Sequence, residues 1–261
     1  MGLGQRPGDE SGLRLSAGGR MRRVGWLALL WMLGACAWAE SSVPAQIRLA
    51  SDVWVDRTNA DGTGMSWDIL RLIFEPAGVR LEVQIVPYTR SVGLVQRGEA
   101  DAWVASYLDE VGTGVIYPRW HYDSDQISAL GLAEKPVPEL QTLGESRLVW
   151  MRGYAYQRYM PNLHHYNELL RRGGILPMLA YDHTDYYIDA RPEVEEVLAE
   201  ADDPSRYRVT DLIRLPLYIG FADTPRGHAL AALYDRRMDE LVEQGALRPI
   251  FERWQQYYPF D

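Results

Sequence analysis

The sequence predicts a two-lobed α/β protein in which each lobe is a mainly parallel sheet flanked by helices, and three observations carry that reading. Short apolar runs of strand length alternate with amphipathic runs of helix length, the order that builds a parallel sheet covered by helices. The alternation falls into two blocks, separated by a stretch holding Pro136, Pro138 and Gly144. Setting aside a leader of 39 residues leaves 222 of the 261, enough for two small domains.

The first block opens with the strand Ile47 to Ser51, followed by a polar loop carrying Asn59, Gly62 and Gly64. Trp67 to Phe74 then reads as a helix stopped by Pro76 and Gly78. From Val79 to Val86 apolar and polar residues alternate, which predicts a strand with one buried face. Thr89 is placed to cap a second helix ending at Gly98, and Ala102 to Ala105 is a third strand.

The second block starts with the strand Arg147 to Met151 and a turn at Gly153. Tyr166 to Arg172 reads as a helix stopped by Gly173 and Gly174, Ile175 to Ala180 as a short helix, and Tyr186 to Ile188 as a strand. An acidic helix, Glu193 to Glu200, precedes the strand Leu215 to Phe221. The last long helix, Ala229 to Val242, aligns Leu230, Leu233, Tyr234 and Leu241 on one face.

The leader has the three parts of a secretory signal: Arg22-Arg23 after Met21, the expected start; an apolar run from Val24 to Leu33; and Ala37-Trp38-Ala39 before Glu40. The apolar run is too short for a membrane span. Cys36, the single cysteine, excludes an internal disulfide, and Leu33-Gly34-Ala35-Cys36 resembles a lipobox. Cleavage after Ala39 and lipidation of Cys36 are both open, and each places the protein in the periplasm. The leader holds five arginines and two acids, so the remainder carries 22 basic and 34 acidic residues. That balance excludes a duplex nucleic-acid binder, which needs a basic face. It leaves a small-molecule partner as the default.

Residues spread from Ile47 to Trp254 resemble the bacterial solute-binding proteins of family 3, with the type II periplasmic binding protein fold. The resemblance lies in Gly64-Met65-Ser66-Trp67-Asp68-Ile69-Leu70 after the first loop, Pro87-Tyr88-Thr89-Arg90, Gly98-Glu99-Ala100-Asp101, Arg152-Gly153-Tyr154, Asp185 to Asp189 and the ending from Gly245. It implies lobe 1 from residues 40 to 126 plus 216 to 261 and lobe 2 from 132 to 213. Two crossovers near Asp123 to Leu130 and Ile213 to Tyr218 would join them, with a ligand held between by hinge closure.

On this resemblance Trp54 and Tyr88 are expected against the ligand, with loop packing the alternative for Trp54. Asp52 is either a contact to a cationic group or a cap. Arg90 is a carboxylate anchor or a solvated arginine, and Arg152, Tyr154 and Ala155 form a turn whose amides can meet an anion. Asp189 is the expected partner of a ligand ammonium group, with helix capping the alternative. Ser106 opens the turn after the third strand. There the family's usual carboxylate-gripping arginine is missing, and Asp109 and Glu110 stand in the turn instead. That departure favours a cationic ligand over a standard amino acid.

The expectation is a monomeric periplasmic binding protein taking a small polar ligand, amino-acid-like or cationic, for an ABC importer or a membrane sensor. No cofactor, metal or nucleic acid is expected. The alternative is a cyclohexadienyl-dehydratase-like enzyme, with Asp189 or Glu110 as general acid.

Overall fold

The computed structural model describes residues 43–261. The expected leader, its cleavage site and Cys36 lie outside the described residues. Strand β1 (Gln46–Ser51) runs parallel to β2 (Arg80–Ile85) on one side and to β3 (Ala102–Ser106) on the other. Helix α1 (Met65–Phe74) connects β1 to β2, and α2 (Tyr88–Gln96) connects β2 to β3. A second parallel set follows: β6 (Leu148–Met151) between β7 (Tyr166–Leu169) and β8 (Tyr186–Ala190), with α3 (Ile175–Ala180) and α4 (Arg191–Ala199).

Two long antiparallel strands join the sets. Strand β5 (Asp123–Leu132) pairs with β8 and, along its whole length, with β9 (Tyr207–Ala222). The far end of β9 pairs with β3 and with the short β4 (Val115–Ile116). The strand order is therefore β2-β1-β3-β9-β5-β8-β6-β7. Each half is parallel as expected, and the junction is antiparallel because the chain crosses between halves twice, in opposite directions.

Apolar faces bury as their spacing predicts where a helix covers them. Ile69, Leu70, Ile73 and Phe74 of α1 pack with Ile47 and Leu49 of β1 and with Leu230, Leu233, Tyr234 and Met238 of α5 (Pro225–Glu243). In the second half, Val149, Tyr187, Ile175, Leu179, Val194 and Val197 form a core of their own. Gly220 admits the Trp103 ring across the β3–β9 pair, where a Cβ would lie 2.0 Å from the indole. Helix α5 starts at Thr224, whose hydroxyl accepts the Gly227 N–H at 3.0 Å. The chain ends on α6 (Arg248–Arg253). Among the described residues no helix is long and apolar enough to cross a membrane.

Three local expectations change. Tyr166–Leu169 is a strand: Tyr166 stacks on Trp150 at 4.3 Å and the segment pairs with the open edge of β6, so tertiary contact outweighs the leucine-rich helical pattern. The alternating strand β2 is a sheet edge, so its apolar face is only partly covered and Val83 is exposed. Helix α2 begins at Tyr88, one residue ahead of Thr89, which lies within the helix and does not cap it.

Candidate functional site

The C-terminal ends of β1, β3, β6 and β8 converge on one cavity, with the first residues of β5 as its floor. This is where open α/β sheets place ligands, because helix N-termini and loops gather there. The cleft is partly open to solvent, and the cavity within it is about 50 Å³.

The loop after β1 supplies Trp54 and Arg57. It is a tight turn: the Arg57 and Thr58 amides donate to the Trp54 carbonyl at 3.0 and 2.8 Å, and the Thr58 hydroxyl donates to the Asp52 carbonyl at 2.8 Å. The Asp52 carboxylate accepts the Val53 N–H at 2.8 Å and the Tyr88 N–H at 3.0 Å. Asp52 thus caps the start of α2 and fixes Tyr88 beside Trp54. Their rings meet edge to face at 5.9 Å and form a corner rather than a flat clamp.

Strand β3 leaves the sheet through a bulge. Its register against β9 shifts between Trp103 and Ser106, and Ala105 takes φ +63°, a left-handed conformation that favours glycine. The bulge turns Tyr107 and Glu110 into the cleft. Glu110 Oε2 accepts the Tyr88 hydroxyl at 2.5 Å, the Ser106 hydroxyl at 2.9 Å and the Tyr107 N–H at 3.3 Å. None of these donors is a cation, and burial pushes the Glu110 carboxyl up to about 7.

On the opposite wall the β6 turn presents Tyr154 and Tyr156. Strand β8 carries Asp189 next to its last residue, and the Asp189 Oδ2 accepts the Arg172 guanidinium at 2.9 and 3.1 Å and the Tyr187 hydroxyl. Its Oδ1 accepts the Ala190 N–H at 2.8 Å and the Tyr156 hydroxyl at 3.3 Å. Glu193 sits in the first turn of α4, and its Oε2 is buried without a hydrogen-bond partner. Burial, with the Asp189 and Asp125 charges close by, pushes Glu193 up to about 8. On the floor Arg57 pairs with Asp123 and donates to Gln256 Oε1 at 3.1 Å. Asp125 accepts the Tyr107 hydroxyl at 3.1 Å, and burial raises its carboxyl.

Aromatic rings bridge the walls. Tyr88 meets Tyr154 at 5.7 Å, Tyr154 meets Tyr156 at 5.8 Å, and Tyr156 meets Tyr107 at 6.0 Å. Polar bonds also cross: the Arg158 guanidinium donates to the Asp109 and Glu110 carbonyls at 3.1 and 2.9 Å, and the Tyr159 hydroxyl donates to the Leu108 carbonyl at 3.0 Å. Tyr154 and Tyr156 form a cleft wall because the β6 turn runs into a short 3-10 turn, Tyr156–Arg158, and not into an α-helix.

Of the residues singled out from the sequence, Trp54, Tyr88, Tyr154 and Asp189 line the cavity. Asp52 and Ser106 stand behind it and hold Tyr88 and Glu110. Ala155 adopts φ +53° at the start of the 3-10 turn and is not a lining residue. Arg90 and Arg152 are exposed and away from the cavity lining. The turn amides of Gly153 and Tyr154 donate to Glu168 and to the Met151 carbonyl, at 3.3 Å each. Sequence reasoning passed over Arg57, Asp125 and Glu193. The first two become neighbours only through the crossover of β5. Glu193 carried a faint signal, an acid one helical turn beyond Asp189.

No protein-family model matches the chain, and no curated protein matches it in sequence. Solved structures match in fold. The substrate-binding protein of an amino acid ABC transporter superposes with a TM-score of 0.61 at 14% identity, over 80% of this chain and 98% of its own. An ancestral arginine-binding protein bound to arginine reaches 0.63 at 12% identity, over 81% and 99%. A histidine kinase sensor domain with similarity to periplasmic binding proteins reaches 0.63 at 15% identity, over 80% and 95%. The chain has the fold of the type II periplasmic binding proteins.

Proposed function

We propose that the protein captures a small polar solute, amino-acid-like or cationic, between two lobes, and does so as a monomer in the periplasm. The lobes would be residues 40–126 with 216–261 and residues 132–213, hinged on the paired strands β5 and β9. One observation carries the reading: an aromatic-walled cavity lies where the two parallel sets of strands meet, closed by direct bonds from Arg158 and Tyr159 to the turn after β3. Strands that cross twice allow the halves to part without unfolding either. The amino-acid-binding proteins and the sensor domain of like fold support both outlets, an ABC importer and a membrane sensor.

A thermal-shift screen of the full chain against amino acids, amines and small carboxylates tests the reading. A solute at 100 times its dissociation constant stabilises the fold by about 2.7 kcal/mol. A hit that disappears in Asp189→Ala supports capture in the cleft, and the absence of any hit across the screen contradicts it.

The dehydratase reading draws on Glu110, a buried acid poised near neutrality in the cavity wall. Electrostatics oppose it, because prephenate and arogenate bear carboxylates and would enter a cleft already crowded with acids. Phenylpyruvate release from prephenate, lost in Glu110→Gln, would establish it.

A further inference from the structure

The charges of the cleft do not balance, and the deficit has a chemical sense. Arg57 is the only cation among the lining residues, and it is committed to Asp123 and Gln256. Arg172 stands behind the wall on Asp189, and Arg158 is spent on main-chain carbonyls. Three further carboxyl groups line the cavity without a cationic partner. Asp125 accepts one tyrosine hydroxyl, Glu110 accepts only neutral donors, and one oxygen of Glu193 is buried with no partner at all.

A carboxylate entering this space would find no free cation, since Arg172 is already taken by Asp189, and it would oppose ionisation of Asp125 and Glu193 across walls of low polarity. An ammonium or guanidinium group would meet the opposite situation. It supplies the donors that Glu193 and Asp125 lack, and the aromatic rings of Trp54, Tyr107 and Tyr154 line the same space. The orphan oxygen points to a ligand independently of the acid count, because a buried polar atom without a partner is costly unless something arrives to satisfy it.

We propose that the cleft takes an organic amine or guanidine that carries no carboxylate, bound between Asp125 and Glu193 against the tyrosine wall. This rests on the reading of the cleft as a solute site. It narrows the ligand from amino-acid-like solutes in general to their decarboxylated counterparts.

Isothermal titration of the full chain with matched pairs isolates the carboxylate, since the members of each pair differ in that group alone: serine and ethanolamine, histidine and histamine, arginine and agmatine. The compact first pair suits the small cavity. The expected result is that, in at least one pair, the amine binds tenfold or more tightly than its amino acid, and that Asp125→Asn and Glu193→Gln each weaken that amine by tenfold or more. If in every pair that binds the amino acid comes within tenfold of its amine, the inference is overturned and solute binding is left standing. If none of the six binds, the inference fails, and if the wider screen is also silent the solute-binding reading fails with it.

Discussion

Asp101 sits in the first half of the molecule and Asp125 on β5, the strand that leaves it for the second, and their surroundings differ in kind. Asp101 is buried at the end of the β1–β3 ladder, where Arg48 and Arg226 grip it at 2.7 and 2.9 Å and the Arg48 N–H adds a bond at 2.8 Å. These hydrogen bonds and charges overcome the burial that opposes them and hold its carboxyl below the usual range. The second half has a similar knot, in which Arg147 and Lys135 share Asp185 and Asp182. Asp125 has a single tyrosine hydroxyl, and burial drives its carboxyl the other way. Acids that serve the fold are matched with cations; the acids of the cleft are left short of them. That contrast separates architecture from binding without reference to any ligand.

Breaking the matched cluster should have the largest effect. Asp101→Asn leaves two guanidinium groups beside a neutral amide, and urea denaturation should register a loss of about 2–4 kcal/mol, tempered by the partial exposure of both arginines. Its stabilising charge is lost as pH falls through its depressed folded value, so wild type should approach the variant only in strong acid.

Neutralising the unmatched acids should have the opposite sign. Glu193→Gln and Asp125→Asn remove buried charge and should raise the stability of the unliganded protein at pH 8 by about 1–2 kcal/mol, measured by the same denaturation. A loss of stability in both variants would mean that these acids hold the fold together and would collapse the contrast.

The pH profile sharpens the comparison. Glu110 and Glu193 titrate near 7 and 8 when folded, above the value of an unfolded glutamate. Their contribution is full below about pH 4.5 and lost as pH rises through the folded values, on the order of 3–5 kcal/mol for each group. The melting temperature of the unliganded protein should therefore drop between pH 5.5 and 8.5, and Glu110→Gln should flatten the curve. The smallest effect is expected at Arg90, exposed on α2: Arg90→Ala should leave solute affinity within about twofold by titration calorimetry.

What was legible in the sequence follows the range of the forces involved. Strands β1 and β3 and helix α5 declare themselves through local periodicity, since the neighbours that bury them need only be apolar. Trp54 and Tyr88 were expected in the cleft from the family resemblance, and Tyr154 from a turn read for its amides, while its ring is what lines the cavity. Strand β7 was not, because its conformation depends on Trp150 and the edge of β6. The cap of α2 comes from Asp52, 36 residues earlier in the chain, a distance at which Thr89 looked like the cap of the helix. The Arg57–Asp123 pair and the isolation of Asp125 arise only when β5 crosses between the halves. The excess of acids was visible in the composition; which acids lack a partner required the fold.

The central claim, that the unmatched acids of the cleft receive a cationic solute between the two halves, is tested most directly by a crystal structure of the full chain with the amine that stabilises it best. The account predicts the amine nitrogen within hydrogen-bond distance of Asp125 or Glu193, with Trp54 and Tyr154 against the rest of the molecule. An amine found outside the cleft, or one inside it with its nitrogen turned away from both carboxylates, would contradict the account.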